Sequence, residues 1–383
     1  MGQGTLAGLQ GPGYVGGNAL PSTNMYEREV VFGGERRLRE LIENTLEIMD
    51  GDFYFVLSGC TSDIIGDDIR TITESFRKQG HPIAWAETAG FRGNSFLGYE
   101  LVFEALLQQW ITPTDRASRT INLFGVVPYQ DVYWRGNLEE ISRLLRRLGL
   151  EVNSFLQNRQ GIDTILRSSG AALNVILSPW LGEKIAQGFF EKFDVPTLRY
   201  SGLPIGPTAT ADFLRRVGEA LEIETTLIES VIADEFDYYY RYIERIADTF
   251  TRYRLAFVGD SSVATGLVQF FVNDFGQIPR LVVLTDNPPE SRRESITREF
   301  GKLEFGDPPQ VLFSEDSEAI ETAVVDSGAT YVLGSSLDLQ LAQENGLAFQ
   351  ATSFPVTDRP ILNKAHAGIR GSLSLVEDFL NPL

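Results

Sequence analysis

The stretch Phe53-Tyr-Phe-Val-Leu-Ser-Gly-Cys60-Thr-Ser-Asp-Ile-Ile-Gly-Asp-Asp68 decides how this chain is read. An aromatic and β-branched run ends in Ser58-Gly59, and Cys60 follows at once. Thr61-Ser62-Asp63 then offers the side-chain oxygens that cap helix N-termini, ahead of Ile64 and Ile65. The pattern places Cys60 in a tight turn between a buried parallel strand and a helix. Open α/β sheets receive their ligands at the carboxyl ends of such strands. A lone cysteine is more often a small buried hydrophobe than a site, but a strand end weighs the other way.

Outward from this stretch, strand-like and helix-like runs alternate, which indicates an α/β architecture. Upstream, Leu38, Leu41, Ile42, Thr45, Leu46 and Met49 recur at helical spacing and predict a helix over 35–49. Downstream, a helix is expected over 64–78 and a strand over 83–88. The glycine-bearing loop Ala89-Gly-Phe-Arg-Gly-Asn-Ser-Phe-Leu-Gly98 leads into a helix over 99–110. The polar break at 112–119 marks a domain boundary. Beyond it come strands over 120–127, 151–156, 172–177 and 196–200, with helices over 138–148 and 180–193. Residues 208–251 read as mostly helical. A third unit opens at Arg254-Leu-Ala-Phe-Val-Gly-Asp-Ser-Ser262, with strands over 280–286, 310–313, 331–333 and 348–351 and helices over 263–275, 317–327 and 337–345. The turn after Gly259 lacks the full dinucleotide fingerprint.

The expected organisation is therefore a glycine-rich, flexible N-terminus over 1–17 and a Rossmann-like domain over 18–115 that carries Cys60. A second such domain spans 116–207, a helical connection 208–251, and a third Rossmann-like domain 252–383. Their parallel sheets are expected around a central cleft. A chain of 383 residues is too long for one core, which agrees with several domains.

Composition excludes several function classes. The formal net charge of −19 argues against nucleic-acid binding, which needs a basic surface. No apolar run approaches the roughly 20 residues that span a bilayer. The N-terminus has no basic region or long apolar core, so no signal peptide is read there. One cysteine excludes an intramolecular disulfide and fits a reducing, cytoplasmic compartment. Two histidines, His81 and His366, and one cysteine cannot build a structural zinc site.

Three segments carry a family resemblance. Pro21-Ser-Thr-Asn-Met-Tyr-Glu-Arg-Glu-Val-Val-Phe-Gly-Gly34 resembles the Ser-Thr…Glu…Val-Phe-Gly-Gly signature of nitrogenase component 1 and its relatives. Ser58-Gly-Cys-Thr-Ser-Asp-Ile-Ile-Gly-Asp-Asp-Ile69 is similar to their cluster-cysteine segment. Glu87-Thr-Ala-Gly-Phe-Arg-Gly-Asn-Ser-Phe-Leu-Gly-Tyr99 is similar to the loop that follows it. The C-terminal pieces Val332-Leu-Gly-Ser-Ser336 and Phe354-Pro-Val-Thr-Asp-Arg359 agree. The resemblance covers about residues 9–375 and looks closer to the β-type than to the catalytic α-type subunit.

The resemblance implies three Rossmann-like domains and an oxidoreductase subunit. It implies electron transfer through an iron–sulfur cluster at a subunit interface, fed by an ATP-dependent iron protein. It makes Cys60 the metal ligand, with Gly59, Gly90 and Phe91 around the cofactor. The partner implied is an α-type subunit in a heterotetramer, with a homo-oligomer as the alternative. The chain departs from the family where a Gly-Pro-x-Gly-Cys segment and a further upstream cysteine are usual, near Gly11-Pro-Gly-Tyr-Val-Gly-Gly17: neither cysteine is present. A P-cluster needs three cysteines from each subunit. The resemblance leaves room for a [4Fe–4S] cluster with one ligand from Cys60 and three from a partner. No cluster is expected in the isolated chain, and no activity is expected from it alone. The competing readings are a non-catalytic scaffold of the same fold, degenerate or engineered, and a small-molecule binding module using the cleft.

Nearby charges carry lesser expectations. Asp63 reads as a helix cap, and Asp67 and Asp68 as first-turn carboxylates. Glu27 and Arg28 read as a structural ion pair or as cleft residues. Phe91 and Arg92 read as a partner-facing loop, and Asp358-Arg359 as a brace for the C-terminal segment.

Overall fold

The computed structural model describes residues 21–155, 157, 160–244 and 252–382. The expectation for residues 1–17 lies outside the described residues. Eleven strands of the described residues form three sheets, and every strand pair is parallel. The first sheet pairs β1 (Tyr54–Leu57) with β2 (Ile83–Ala86). The second holds β3 (Ala117–Phe124), β4 (Glu151–Asn153), β5 (Ala171–Leu177) and β6 (Thr197–Tyr200), in the order β4-β3-β5-β6. The third holds β7 (Arg254–Gly259), β8 (Ile278–Leu284), β9 (Gln310–Phe313), β10 (Tyr331–Gly334) and β11 (Ala348–Ala351), in the order β11-β10-β7-β8-β9. Parallel strands need long crossovers, and helices supply them throughout.

The strands read as their environments require. In the third sheet Leu255, Ala256, Phe257 and Val258 of β7 and Leu281 to Leu284 of β8 are buried without alternation, as strands covered on both faces must be. In β1 only partial burial is reached and Leu57 is exposed. The first block is the thinnest, with two strands among the described residues.

Several helices differ from expectation. The one expected over 64–78 is two helices, Cys60–Ile65 and Ile69–Lys78, split where Gly66 adopts the left-handed region at φ 79°. Glycine enters that region without the Cβ clash other residues meet. Asp68 is not inside the second helix but caps it, accepting from Thr71 N at 2.9 Å. Asp67 instead accepts from Gly34 N at 2.8 Å and ties the segment at 33–34 to this turn. Helices Ile162–Arg167, Glu290–Glu299 and Gly368–Leu380 escape the sequence reading. Glu290–Glu299 buries only Ile296, so it carries no apolar period to find.

The blocks are locked by buried polar contacts rather than by apolar area alone. Asn94 Nδ2, from the loop after β2, donates to the Asp286 carbonyl at 2.9 Å. Trp180 Nε1, after β5, donates to Asp286 Oδ2 at 2.8 Å, and Asp286 follows β8. Tyr133 Oη donates to the Ala351 carbonyl at 2.9 Å. His366 N and Ala367 N donate to Asn137 Oδ1 at 2.7 and 2.9 Å. Asp358 and Arg359 form an ion pair at 2.8 Å. Along the helical connection, buried Glu235 receives Arg143 and Arg147 at 2.7 Å each. Burial of the Arg143 guanidinium is offset by its hydrogen bonds to Glu140 and Glu235, which hold it charged, while the same arginines lower the Glu235 carboxyl.

Candidate functional site

Cys60 stands where the sequence places it, at the carboxyl end of β1, and it is exposed. Its helix begins four residues earlier than expected, at Cys60 rather than Ile64. Cys60 is the first helical residue and Gly59 the N-cap. Ser62 serves that end by a local loop: its Oγ accepts from Gly59 N and donates to the Gly59 carbonyl, both at 3.0 Å. Gly59 faces open space, with nothing within 4 Å of where a Cβ would stand.

The loop after β2 closes over the sulfur from the other strand. Gly90 N donates to Cys60 Sγ at 3.2 Å. A Cβ on Gly90 would stand 3.4 Å from that sulfur, at the near limit of ordinary van der Waals contact. Two pairs of bonds fix this approach. Ser58 Oγ accepts from Thr88 N at 2.9 Å, and Thr88 Oγ1 donates to the Ser58 carbonyl at 3.1 Å. Arg92 then bridges Asp63 at 2.9 Å and Glu87 at 2.6 Å, which raises the guanidinium's pKa through the Asp63 hydrogen bond. Asp63 is thus the anchor of the loop, not a helix cap. That role needs a partner 29 residues away and leaves no local trace in the sequence.

An apolar surface frames the sulfur. Ile64 is 73% exposed, Phe91 60% and Phe32 82%. The helix Glu27–Phe32, which ends in the exposed Phe32, packs on the helix Cys60–Ile65. The carboxylate that organises this helix is Glu29, which accepts from Tyr26 N at 2.9 Å and pairs with Arg37 at 2.9 Å. The first of these bonds is the main reason its pKa is lowered. Glu27 and Arg28, the pair singled out from sequence, are exposed and form no ion pair among the described residues. A cavity of about 740 Å³ opens beside Cys60, between β1 and the helix Glu35–Ile48, lined by Leu38, Ile42, Phe55, Leu57 and Gly59 among others.

Gly59, Cys60, Gly90 and Phe91 thus converge at one strand-end crevice. No group of three or more His, Cys, Asp or Glu among the described residues is placed to hold a metal ion. With one cysteine in the sequence, the residues present do not complete an iron–sulfur site within this chain. No described helix is long and apolar enough to cross a membrane.

The chain is similar to known proteins along nearly its full length. It is 24% identical to the nitrogenase molybdenum-iron protein beta chain of Methanococcus maripaludis, covering 94% of this chain and 83% of that one. It is 25% identical to the nitrogenase iron-molybdenum cofactor biosynthesis protein NifE of Clostridium pasteurianum, over 86% of this chain and 70% of the relative. A nitrogenase molybdenum-iron protein alpha chain, from Methanosarcina barkeri, is 27% identical over 60% of this chain and 43% of its own length. The solved structure described as nitrogenase Cp1 at pH 6.5 superimposes with a TM-score of 0.78 at 19% identity, over 94% of this chain and 81% of that one. The model of the family described as nitrogenase component 1 type oxidoreductase matches residues 12–383. With that match over the same three parallel sheets, the chain belongs to the nitrogenase component 1 type oxidoreductase family.

Proposed function

We propose that this chain is the β-type subunit of a nitrogenase-like reductase and contributes Cys60 as one ligand of an iron–sulfur cluster shared across a subunit interface. The observation that carries this reading is the exposed Cys60 at a strand end, its sulfur backed by the Gly90 amide, with exposed Ile64 and Phe91 on the adjoining turns. A soft thiolate suits iron, and an amide donor to sulfur tunes such a centre. A chain with one cysteine needs a partner to supply the remaining ligands, and an apolar rim gives that partner a surface to cover. The partner is an α-type subunit, because α-type and β-type chains are both relatives of this one. The cluster in this reading is a [4Fe–4S] centre, and an ATP-dependent iron protein supplies its electrons. The chain is cytoplasmic in this reading.

The domain division that accompanies this proposal keeps 18–115 as the Cys60 domain, 116–207 and 252–383 as the two larger sheet domains, and 208–251 as their helical connection.

The experiment is anaerobic co-expression with a cysteine-richer α-type chain, followed by iron and sulfide analysis of the purified complex. Wild type is expected to carry iron and sulfide in stoichiometric amounts, and Cys60→Ser to lower both while the complex still assembles. Iron content indifferent to Cys60→Ser in an assembled complex sinks the ligand role. It would leave the second reading, a scaffold without a cluster, which the single cysteine favours.

A further inference from the structure

The third sheet has its own crevice, apart from Cys60. Its strand order runs from β7 through β8 to β9 on one side and places β10 and β11 on the other. The order therefore reverses between β7 and β10, and ligands of open α/β sheets sit outside the carboxyl ends of the strands at such a reversal. A cavity of about 470 Å³ lies there, within the size range of small-molecule sites. Gly259 and Asp260 line it from the end of β7, Ser335 and Asp338 from the end of β10. Phe96 and Gln130 reach it from the first two blocks. None of its lining residues belongs to the cavity beside Cys60.

The usual occupant of such a crevice is an anion held on helix N–H groups. Here the protein's own carboxylates take those seats. Asp260 Oδ1 accepts from Ser262 N and Val263 N, both at 3.0 Å, at the start of the nine-residue helix Ser261–Gln269. Beside the cavity, Asp316 Oδ1 accepts from Ala319 N at 2.8 Å at the start of the helix Ser317–Asp326. Asp338 Oδ2 accepts from Ser335 N and Ser335 Oγ at 2.7 and 2.8 Å. Gly334 permits this last approach, since a Cβ there would stand 2.7 Å from that oxygen.

The remaining wall is acidic. Asp260, Glu315, Glu321, Asp338 and Glu344 line the cavity, and no Lys, Arg or His does. Asp260 is 8% exposed, its Oδ1 is committed to the helix, and its Oδ2 has neither hydrogen bond nor ion pair among the described residues. Burial, with the Asp286 carboxylate near it, pushes its pKa up to about 8. A positive charge in the cavity would relieve that repulsion. Phe96 and Phe354, with Ile320 and Leu341, supply apolar surface that a bare metal ion would not use, and aromatic faces attract cations.

We propose that this cavity binds a small organic cation, an ammonium-bearing molecule with an apolar or aromatic body, through the free oxygen of Asp260 and the surrounding carboxylates. The proposal does not depend on a cluster at Cys60.

Phenethylamine, 2-phenylethanol and phenylacetate test it, because they keep one shape while the charge runs from positive through neutral to negative. Binding to the full chain is measured by titration calorimetry and saturation-transfer NMR. Phenethylamine is expected to saturate at one equivalent per chain, at least tenfold tighter than the alcohol, with no binding of phenylacetate. Asp260→Asn keeps a cap acceptor and should weaken the amine at least fivefold. Ser317→Arg places a cation at the exposed mouth and should do the same without touching the buried carboxyl. Glu40→Gln, on the exposed face of a distant helix, should change nothing. Absence of saturable amine binding overturns the proposal. So does equal affinity for the alcohol or phenylacetate, or wild-type amine affinity in both cavity variants.

Discussion

The first and third sheets answer the same topological rule with opposite degrees of enclosure. Both end in a parallel strand, a tight turn and a helix. In the third, β7 is buried along Leu255 to Gly259 and the helix after it is buried from Ser261 to Val268. In the first, β1 is only partly buried and the helix after it buries no residue at all. The third block is therefore fully enclosed, its core continuous with that of the second sheet, and its polar groups line a cavity. The first leaves a sulfur and several apolar side chains facing outward, which is how a surface made for another chain is built.

Perturbations should separate these two regions by size. The largest effect is expected from Phe257→Ala in β7. Phe257 is 1% exposed, and its loss should cost about 3–5 kcal/mol in denaturant unfolding. A cost below about 1 kcal/mol would mean the third sheet is not the rigid half of the comparison. Next comes Glu235→Gln, which leaves Arg143 and Arg147 without their shared buried carboxylate. A loss of about 3 kcal/mol is expected by the same measurement, and an unchanged midpoint would break the claim that polar locks hold the blocks.

Acid titration sharpens the contrast further. Burial holds the His366 pKa down to about 3 from an ordinary 6.5. The unfolded chain thus takes up a proton that the folded one refuses. The contribution is fully present above pH 6.5 and is lost as pH falls toward 3, by about 1.4 kcal/mol per unit within that window. His366→Leu should flatten this limb of the unfolding midpoint against pH. An unaltered limb would place the acid sensitivity elsewhere.

The smallest stability effects belong to the exposed face. Ile64→Ser and Phe32→Ser should each change unfolding free energy by no more than about 0.5 kcal/mol, yet prevent assembly with the α-type chain in co-purification. Normal assembly by both would remove this face as an interface. Cys60→Ser should be nearly silent in unfolding, because the sulfur is exposed and its one amide contact is retained by an oxygen. A loss beyond about 1 kcal/mol would show that Cys60 is a packing residue after all.

Local chemistry made part of this molecule legible in its sequence. The run from Phe53 to Leu57 announces a strand because β-branched and aromatic residues fit a pleated surface, and Ser58-Gly59 ends it. From that alone Cys60 could be placed at a strand end, and alternating periods along the chain revealed a parallel α/β architecture. The Gly90 amide contact and the split at Gly66 were less accessible, since one depends on a sulfur 30 residues away and the other on a backbone angle. The anchoring of Asp63 by Arg92, the orphaned ion-pair expectation for Glu27 and Arg28, and the meeting of Phe96, Gln130, Asp260 and Ser335 at one cavity were decided only by the tertiary structure. The physical reason is range. Hydrophobic periodicity, capping and turn preferences act within a few residues, so the chain itself determines its strands, most helices and the exposure of its cysteine's turn. Burial of a carboxylate and the sign of a cavity's potential arise from groups brought together across hundreds of residues. Only the packing of the three sheets sets those distances.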